Sequence, residues 1–379
     1  MSGVVRVAYV VPPSKQFAGI ERVVHEIAEG LQREHGDVLE VHVIYCSAYP
    51  DPQLVTTQYT KHVLGVDRLV RLPKALRAVA RRERFDVLIA PQVEASVLSW
   101  LATRGLKLPV FISHLHGNPD LEEREGTLRT KAAFVLYRQL LTRSMEAILA
   151  VSPSLAAYTR AALARKVPVH FAKNPVRDLH APATALAAEG PFELLCVGRL
   201  SRQKGQDTLL RALALARPDM PSVVLRLVGN GPAENDLRRL SADLGLDDIV
   251  DFAGYVSDPG AYLRRADCFV LASRWEGFGV ALAEALQFGL PLLSTDCRFG
   301  PSDLIFDPRI GEIVPVDDPI ALAAGLRRAV DRPRDADADA FRRVSASAYL
   351  PEAAIAAHFE ILTDILRGRA PALAALMTA

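Results

Sequence analysis

Short apolar segments alternate with amphipathic helical segments along nearly the whole chain. Residues 4–11 form the first apolar segment, and a helical stretch with a clear apolar face follows from Ile20. The later apolar segments of the first half are residues 40–46, 85–90, 110–113 and 148–151, and the pattern begins again after residue 190. Such alternation is typical of parallel sheets joined by right-handed crossovers. We therefore predict an α/β protein with two doubly wound, Rossmann-like parallel sheets.

Chain length and composition favour two domains. The chain has 379 residues, half of them hydrophobic, which is enough to bury two cores. Residues 174–191 are rich in Ala, Pro and Gly and are typical of a linker. We place an N-terminal domain at residues 1–175 and a C-terminal domain at residues 176–352.

Charge, cysteine content and hydropathy narrow the function. A net charge of +1 gives no bulk field that would attract nucleic acid, so none is expected as a partner. The four cysteines lack metal-ligand spacing, which indicates free buried thiols in a reducing compartment. No apolar stretch has the length of a transmembrane helix, and residues 4–11 are typical of a first strand rather than of a signal peptide. We expect a cytoplasmic protein.

Two carboxylates, Glu276 and Glu284, follow the apolar run Cys268–Leu271. Two glycines permit a tight turn after that strand, and a helix begins at once. Glu276 then lies at the carboxyl end of a strand, where doubly wound sheets bind ligands. The free backbone N–H groups of residues 278–281 would face an anion, and each carboxylate can accept hydrogen bonds from hydroxyls. This arrangement suits a nucleotide sugar.

Two other interpretations of this carboxylate pair stay open at this point. Glu276 is also explained as a first-turn carboxylate favoured by the helix dipole, with Glu284 as a solvated helix residue. Glycosidases use two carboxylates as well, one as acid and one as nucleophile or base. The glycosidase interpretation is weaker, because nothing marks either group as buried enough to stay protonated.

Two cations lie at an earlier strand-to-helix turn. Arg199 follows the apolar run Phe192–Val197, and Lys204 precedes a helix. Fixed cations at such a turn neutralise a diphosphate leaving group, which many enzymes do with a divalent metal. The glycine pair in residues 229–232 lacks the third glycine of a dinucleotide fingerprint, since position 234 is Glu234. We interpret that turn as phosphate-adjacent or purely structural.

Taken in order, these motifs resemble those of the retaining glycosyltransferases of family four, which are metal-independent enzymes of the GT-B fold. The motif residues are 197–200, 204–205, 228–232, 252–256, 266–267, 273–279 and Glu284, with 18–22 and 116–117 in the N-terminal half. The resemblance covers nearly all of the C-terminal half. It implies two Rossmann-like domains that face a central cleft, with residues 353–379 crossing back onto the first domain.

The resemblance also implies roles for individual residues. The donor-binding set is Gly19, Arg199, Lys204, Val256, Glu276, Phe278, Gly279, Val280 and Glu284. Arg199 and Lys204 would hold the diphosphate, Glu276 the sugar hydroxyls, Glu284 the ribose and Val256 the base. Phe278, Gly279 and Val280 would contact sugar and phosphate through backbone groups, and Gly19 would approach the phosphates from the other domain. The catalytic set is His116, Arg199, Lys204 and Glu276.

Three positions depart from the family pattern. Ala18 replaces the first glycine of the N-terminal loop, which still leaves Gly19 for close approach, and Ala272 replaces a proline before Ser273. Asp303 stands where members that use UDP-hexoses commonly carry Glu. This last departure leaves the identity of the donor sugar open.

Two acidic or histidine patterns resemble metal sites without fitting one. Asp335, Asp337 and Asp339 precede a helix in a polar segment, so helix capping and solvation explain them. His114 and His116 have no third ligand nearby in sequence, so hydrogen-bonded structural roles explain them equally well. His116 is the functional candidate of the two, because a neutral imidazole there can orient a sugar hydroxyl. We predict no metal and no cofactor.

Residues 68–84 contain seven cations and one acid, with an apolar helical face of Leu72, Leu76, Val79 and Ala80. One interpretation is a packed helix with a solvated basic face. The other is docking on anionic lipid, where each basic residue near the surface contributes about 1 kcal/mol. In that case the protein would be peripheral on the inner face of the membrane.

We therefore predict a hexosyltransferase that moves a sugar, with retention, from a nucleotide diphosphate sugar to a hydroxyl of a glycan or lipid-linked acceptor, as in lipopolysaccharide or polysaccharide biosynthesis. UDP is the expected nucleotide. No enzymic nucleophile is evident, so catalysis would rest on cleft closure, water exclusion and the stabilisation of the departing diphosphate by Arg199 and Lys204. The alternatives are a nucleotide-sugar epimerase of the same fold, which needs no acceptor, and a non-catalytic binding subunit, which does not need the cations.

Overall fold

The computed structural model describes residues 3–14, 17, 19–108, 110–164, 166–181, 190–332 and 335–378. The chain divides into two compact units, one of Met1–Pro175 with Pro351–Ala379 and one of Val176–Leu350. Ala18, most of the interdomain linker (182–189), Pro333 and Arg334 lie outside the described residues.

The first unit is built on a parallel sheet of seven strands in the order β3-β2-β1-β4-β5-β6-β7. The strands are β1 Val5–Val11, β2 Leu39–Tyr45, β3 Thr60–Val63, β4 Val87–Pro91, β5 Val110–Leu115, β6 Ala147–Ala150 and β7 Val169–Phe171. The five apolar segments expected in this half all form strands. The sequence analysis missed the two edge strands, since β3 consists of mostly exposed polar residues and β7 has three residues.

Eight α-helices belong to the first unit in the described part of the chain. They are α1 Ile20–His35, α2 Leu72–Glu83, α3 Val93–Thr103, α4 Pro119–Glu125, α5 Leu128–Gln139, α6 Pro153–Tyr158, and the last two helices of the chain, α14 Pro351–Arg369 and α15 Pro371–Met377. Helix α14 packs against α1, where the ring of Phe359 stacks on that of His35 with centroids 3.6 Å apart. The buried residues of α2 are Leu72, Leu76, Val79 and Ala80, as predicted.

The second unit contains a parallel sheet of six strands in the order β10-β9-β8-β11-β12-β13. Its strands are β8 Phe192–Val197, β9 Val223–Val228, β10 Val250–Gly254, β11 Cys268–Leu271, β12 Leu292–Thr295 and β13 Gly311–Val314. Its helices are α7 Gln206–Ala216, α8 Glu234–Asp243, α9 Gly260–Arg265, α10 Val280–Gln287, α11 Pro301–Leu304, α12 Pro319–Asp331 and α13 Ala336–Ser347. The Asp335 side chain caps α13, accepting hydrogen bonds from the backbone of Asp337 and Ala338. This capping confirms the structural interpretation for Asp335, while Asp339 forms an ion pair with Arg342.

Both sheets are entirely parallel and carry a helical layer, which confirms the predicted α/β class with two Rossmann-like domains. The four cysteines are free and buried, as expected. No helix in the described ranges combines the length and the apolar character needed to cross a bilayer.

Candidate active site

The loops that leave the second sheet collect the predicted donor residues at one edge. Arg199 follows β8, Val256 follows β10 and Glu276 follows β11. Because neighbouring strands of this sheet are parallel, their carboxyl ends lie at the same edge. The strand ends predicted this location for Arg199 and Glu276, whereas the family resemblance predicted it for Val256.

Lys204 and Glu276 form a buried ion pair at the centre of this edge. The Lys204 Nζ lies 2.5 Å from Glu276 Oε1, and the Ser273 hydroxyl donates to the same oxygen over 2.7 Å. Burial disfavours the charged lysine, but the nearby carboxylate more than offsets this, so the pKa of Lys204 is raised. The sequence analysis assigned both residues to the donor without anticipating that they pair with each other.

Gly205 explains how two separate loops bring this pair together. Its φ of +62° is in the left-handed region, and a Cβ at this position would lie 2.0 Å from the carbonyl oxygen of Ala272. A side chain is therefore excluded where the loop after β8 meets the end of β11. This close approach places Lys204 beside Glu276.

Arg199 supplies the uncompensated charge of the site. Its side chain is exposed, and no carboxylate in the described part of the chain pairs with it. The Arg199 carbonyl accepts a hydrogen bond of 3.0 Å from the Gln206 side chain, which fixes the backbone of the loop. Since Lys204 and Glu276 balance each other, Arg199 is the cation beside this pair that no carboxylate of the described residues compensates.

Helix α10 begins beside these side chains. Gly279, with φ +92°, is the N-cap of the helix, and no side chain caps the N-terminus. The first backbone N–H groups of an uncapped helix, together with its dipole, favour an anion. Phe278 is buried immediately before this turn, and its ring lies 5.0 Å from that of Tyr349.

The sequence analysis missed Arg177, which joins two of the predicted donor residues. Its Nε donates to Glu284 Oε1 over 3.0 Å, and its guanidinium also donates to the Ser257 carbonyl over 2.6 Å. Ser257 directly follows Val256, so Arg177 bridges the loop after β10 and helix α10. No local sequence pattern predicted a role for Arg177, because it lies in residues 174–191, which are typical of a linker.

Arg274 is a second missed residue, and it holds the loop after β11 in place. Its guanidinium forms a bidentate contact with Asp207 of 2.9 and 2.8 Å and lies 2.7 Å from Asp317. These contacts anchor the segment before Glu276 to the start of α7. Arg274 lies within the motif residues 273–279, but the motif alone does not predict these contacts.

In the first unit, His116 and Gly19 lie at the carboxyl edge of the seven-stranded sheet. Gly19 is the N-cap of α1, with φ +58°. The His116 backbone N–H donates to the Gln92 side chain over 3.1 Å, and the Gln92 amide donates to Glu122 over 2.9 Å. Burial, and after it the nearby Glu94, raise the pKa of Glu122 to about 7.

His116 belongs to a cluster of three histidines, in which His114 and His358 are buried. The His114 ring centroid lies 3.9 Å from that of His116 and 5.8 Å from that of His358, which belongs to α14. Burial, and then the neighbouring His358, lower the pKa of His116 to about 3. Burial also lowers the pKa of His358 to about 4, while its Nε2 donates to the Lys173 carbonyl over 2.9 Å. The three imidazoles are therefore neutral at physiological pH.

A cavity of about 430 Å³ opens at this edge of the first sheet. Its polar lining residues are Gln92, Glu94, Glu122, Glu125 and Thr130. A larger cavity of about 500 Å³ in the second unit lies at the opposite edge of its sheet, where β8, β11 and β12 begin, and none of the predicted donor residues lines it. Within the described residues, no group of three or more His, Cys, Asp and Glu side chains is placed to hold a metal ion.

Comparison with known proteins agrees with this architecture in both units. Residues 181–343 match the family described as glycosyl transferases group 1, and residues 18–175 match the glycosyl transferase 4-like domain. Two parallel-sheet domains carrying these sequences define a glycosyltransferase of the GT-B fold. The chain belongs to the glycosyl transferases of group 1.

Individual relatives share at most moderate sequence identity with this chain, as two examples show. The lipopolysaccharide core biosynthesis glycosyltransferase LpsE of Rhizobium meliloti is 28% identical over 274 residues, which cover 71% of this chain and 71% of LpsE. An uncharacterised glycosyltransferase of Methanocaldococcus jannaschii is 36% identical over 114 residues, which cover 30% of this chain and 28% of that protein. The match to that relative thus spans just over a quarter of its length.

A solved structure shows the same fold across both units. HepE of Anabaena, in complex with UDP and glucose, aligns with a TM-score of 0.79 at 18% identity. The alignment covers 95% of this chain and 100% of that chain. At this level of identity the similarity shows the fold alone.

Proposed function

We propose that this glycosyltransferase moves a hexose from a UDP-sugar to a hydroxyl of a glycan or lipid-linked acceptor, with retention and without a metal. The observation that carries the proposal is the Lys204–Glu276 pair beside the exposed Arg199 at the start of α10. A diphosphate at this edge would meet the guanidinium group of Arg199, the ammonium group of Lys204 and the uncapped N-terminus of α10. Together these neutralise a charged leaving group, which is the task a divalent cation performs in other enzymes.

The remaining donor residues extend from this point along α10. Glu276 would accept hydrogen bonds from the sugar hydroxyls, with its orientation fixed by Lys204 and Ser273. Glu284 would accept hydrogen bonds from the ribose, with Arg177 holding both its carboxylate and the loop of Val256 against which the base would lie. These residues would then contact the sugar, the diphosphate, the ribose and the base in the order in which a nucleotide sugar carries them.

The neutral edge of the first unit supports an acceptor hydroxyl. Near pH 7 His116 is neutral and Glu122 is partly protonated, so each can donate or accept a hydrogen bond. The cavity beside Glu122, whose lining includes Gln92 but not His116, offers room for a sugar ring. An acceptor cavity favours a transferase over an epimerase, which requires no acceptor.

The choice of donor and pathway draws on the relatives. HepE binds UDP and glucose in its solved structure, and LpsE is named for lipopolysaccharide core biosynthesis. These names support a UDP-hexose donor and a glycolipid acceptor for this chain. The Asp303 departure leaves the hexose itself open.

The basic segment 68–84 would attract the first unit to anionic lipid. Arg77 is excluded from this role, because its guanidinium donates to the carbonyls of Ala102 and Arg104 over 2.7 and 2.9 Å. The six exposed cations of the segment are Arg68, Arg71, Lys74, Arg81, Arg82 and Arg84. Arg71 and Arg82 pair with Asp67 and Glu83, so the four without a carboxylate partner among the described residues, Arg68, Lys74, Arg81 and Arg84, would each contribute about 1 kcal/mol of attraction near an anionic surface.

Slow donor hydrolysis tests the proposal. The purified protein is incubated with UDP-, GDP- and ADP-sugars, with and without EDTA, and free nucleotide and the anomer of the released sugar are detected. We expect UDP release that EDTA does not change, retention at the released sugar, and loss of release in Arg199→Ala but not in Arg211→Ala, an exposed arginine on α7. Conversion to another nucleotide sugar would instead identify an epimerase, and no turnover with any donor or acceptor would identify a binding subunit.

A further inference from the structure

The larger cavity, in the second unit, has no role in the proposed function. It has a volume of about 500 Å³ and lies at the edge of the sheet where β8, β11 and β12 begin. Its apolar floor includes Phe192, Leu263, Leu290 and Leu292. Cavities of about 300 to 1,000 Å³ with an apolar lining are typical of small-molecule sites. This cavity therefore has the size and the lining of such a site.

The charged groups that line this cavity are mostly arginines. Four carboxylates line it, and each already has a partner: Asp267, Glu312, Asp335 and Asp339. Six arginines line it: Arg264, Arg309, Arg328, Arg332, Arg342 and Arg343. The arginines outnumber the carboxylates, so the described lining has an excess of positive charge, which favours an anionic ligand.

Two of these arginines, Arg264 and Arg332, have no carboxylate partner in the described ranges. Arg264 is exposed near the end of α9. Arg332 is exposed directly after α12, and its guanidinium donates to the Pro308 carbonyl over 3.3 Å. A guanidinium that keeps free donors beside an apolar cavity can bind a carboxylate, a sulfonate or a phosphate.

The buried Arg342 adds to the positive charge of the cavity. Its guanidinium donates to the Gly289 carbonyl over 2.6 Å and pairs with Asp339. Burial lowers the pKa of Arg342 more than Asp339 raises it, and Arg332 lowers it further. The two arginines therefore repel each other, and an anion in the cavity would offset that repulsion.

We propose that this cavity binds a small molecule with an anionic group on an apolar body, with Arg264 and Arg332 contacting the anionic group and Phe192, Leu290 and Leu292 contacting the apolar body. The anionic group gives a partner to the two guanidinium groups, and the apolar body covers the floor. Inorganic phosphate or a sugar phosphate matches the cations but leaves the apolar floor without a partner. Binding at this site does not depend on the proposed function.

Titration calorimetry of the full chain without donor tests the site. The probes are octanoate and naphthalene-1-sulfonate, their neutral counterparts octanol and naphthalene-1-sulfonamide, and inorganic phosphate. We expect at least one of the two apolar anions to bind with one-to-one stoichiometry. Its neutral counterpart and phosphate should each bind about tenfold more weakly, since each lacks one of the two kinds of contact. Tighter binding of octanoate would indicate an acyl body, and tighter binding of the sulfonate an aromatic one.

Two charge variants test where the anionic group lies. Arg264→Gln and Arg332→Gln should each weaken binding of the anionic probe about three- to fivefold, because one exposed guanidinium is lost. The matched control is Arg211→Gln on α7, which replaces an exposed arginine outside the cavity and should bind like the wild type. All three side chains are exposed, so thermal unfolding should be unchanged.

A space-filling variant tests where the apolar body lies. Ala329 is half-buried on α12 and lines the cavity, so Ala329→Phe should abolish binding of the probe. The matched control is Ala324→Phe, at a half-buried position of the same helix outside the cavity lining, and it should keep binding.

Hydrogen exchange of the wild-type protein locates the probe without any substitution. A bound probe should slow exchange in residues 288–293 and 336–343, which contribute much of the cavity lining, because a ligand stabilises the state that binds it. The protected region should include the end of α10, where Arg343 donates to the carbonyls of Gln287 and Phe288 over 3.1 and 2.8 Å.

Four results would overturn the proposal. They are no binding of either apolar anion, equally tight binding of the neutral counterpart, equal binding by Arg264→Gln, Arg332→Gln and the Arg211→Gln control, and protection from exchange confined to other parts of the chain. None of them involves the donor, so each would leave the proposed glycosyl transfer untouched.

Discussion

The carboxyl edges of the two sheets share the same architecture but differ in the charge state of their side chains. At the edge of the second sheet the side chains are ionised and paired: Lys204 with Glu276, Arg177 with Glu284, and Arg274 with Asp207. At the edge of the first sheet His116, His114 and His358 are kept neutral by burial and Glu122 has a raised pKa, while Glu94 forms an ion pair with Arg129. Ionised groups suit a charged diphosphate, and neutral groups suit hydroxyls. The comparison supports the proposed placement of the donor at the edge of the second sheet and of the acceptor at the edge of the first.

The largest expected effect comes from removing the charge of Lys204. Lys204→Met deletes one of the two cations proposed to stabilise the leaving group, and we expect kcat for transfer to fall by about 10³-fold. The same change leaves the buried Glu276 carboxylate without its cation, so the unfolding free energy should drop by about 3 kcal/mol. Steady-state kinetics and urea unfolding measure the two effects.

A double variant separates stability from activity at this pair. Lys204→Met/Glu276→Gln removes both charges, so most of the lost unfolding free energy should return while transfer stays absent. Recovery of transfer along with stability would mean that the pair only supports the fold. The contrast between an ionised donor edge and a neutral acceptor edge would then lose its functional meaning.

Acid should destabilise the first unit before the second. Seven of the nine histidines have a lowered pKa, and all seven belong to the first unit: His25, His42, His62, His114, His116, His170 and His358. Their stabilisation is complete above pH 6.5, where the unfolded chain is also neutral. It is lost as pH falls below that value, because the unfolded state then binds protons that the folded state does not. Each fully buried histidine contributes a loss of about 1.4 kcal/mol per pH unit.

Glu122 and Asp207 set the pH range over which the two units are expected to differ in stability. Glu122 acts in the opposite direction, because its pKa of about 7 in the fold exceeds its ordinary value, so it stabilises the fold as pH falls from about 7 towards 4.5. Burial also raises the pKa of Glu29 and Glu146 in this unit, so three carboxyls act against seven histidines, which leaves a net loss. In the second unit, burial alone would raise the pKa of Asp207, but Arg274 lowers it overall, so that stabilisation is lost only below the ordinary aspartate range.

Hydrogen exchange at pH 7.5 and pH 5.5 measures the difference between the units. Protection should fall in β1–β7 at the lower pH and hold in β8–β13. His358→Gln should reduce the loss in the first unit, and Glu122→Gln should increase it. Equal loss of protection in both sheets would show that the histidine cluster does not control acid stability.

The sequence predicted the ionised edge far better than the neutral one. Glycine turns after apolar runs marked the positions of Arg199, Lys204 and Glu276 because each strand end and its charged residue are adjacent in sequence. The histidine cluster is different, since His358 joins His114 and His116 from a helix more than 200 residues later. No local pattern connects such residues. Their shared neutrality arises from burial, which only the packing of α14 on the first unit reveals.

Local sequence patterns are equally limited in predicting which surfaces are exposed and which linker residues form contacts. Apolar residues recur on both faces of α5, so helical periodicity alone did not indicate which face is buried. For α2, with one apolar face, periodicity predicted the buried residues correctly. Arg177 lies in a Pro-containing segment that is typical of a linker, and its role arises from contacts with two distant loops.

A smaller effect is expected at Gly205, where the two loops of the ionised edge meet. Gly205→Ala combines a left-handed φ with a Cβ 2.0 Å from the Ala272 carbonyl oxygen, and we expect a loss of about 2 kcal/mol or more of unfolding free energy. Gly245→Ala is the matched control, because its φ of +65° is similar and no atom lies within 4 Å of the added Cβ. Its cost should be about 1 kcal/mol. Equal destabilisation of the two variants in urea unfolding would show that backbone conformation, rather than loop contact, accounts for Gly205.

The smallest expected effect distinguishes the two ends of the ionised edge. Arg177 contacts Glu284 and the Ser257 carbonyl, at the predicted nucleoside end, so its interactions should be equally strong in the ground and transition states. Arg177→Ala should then raise the donor KM by about three- to tenfold with kcat changed less than twofold, because only uniform binding is lost. Arg177→Lys should rescue part of the KM, and Arg211→Ala should change neither constant. A fall in kcat at unchanged KM would place Arg177 with Lys204 among the groups that stabilise the leaving diphosphate. The ionised edge would then act as one catalytic unit, with no separate end that only binds the nucleoside.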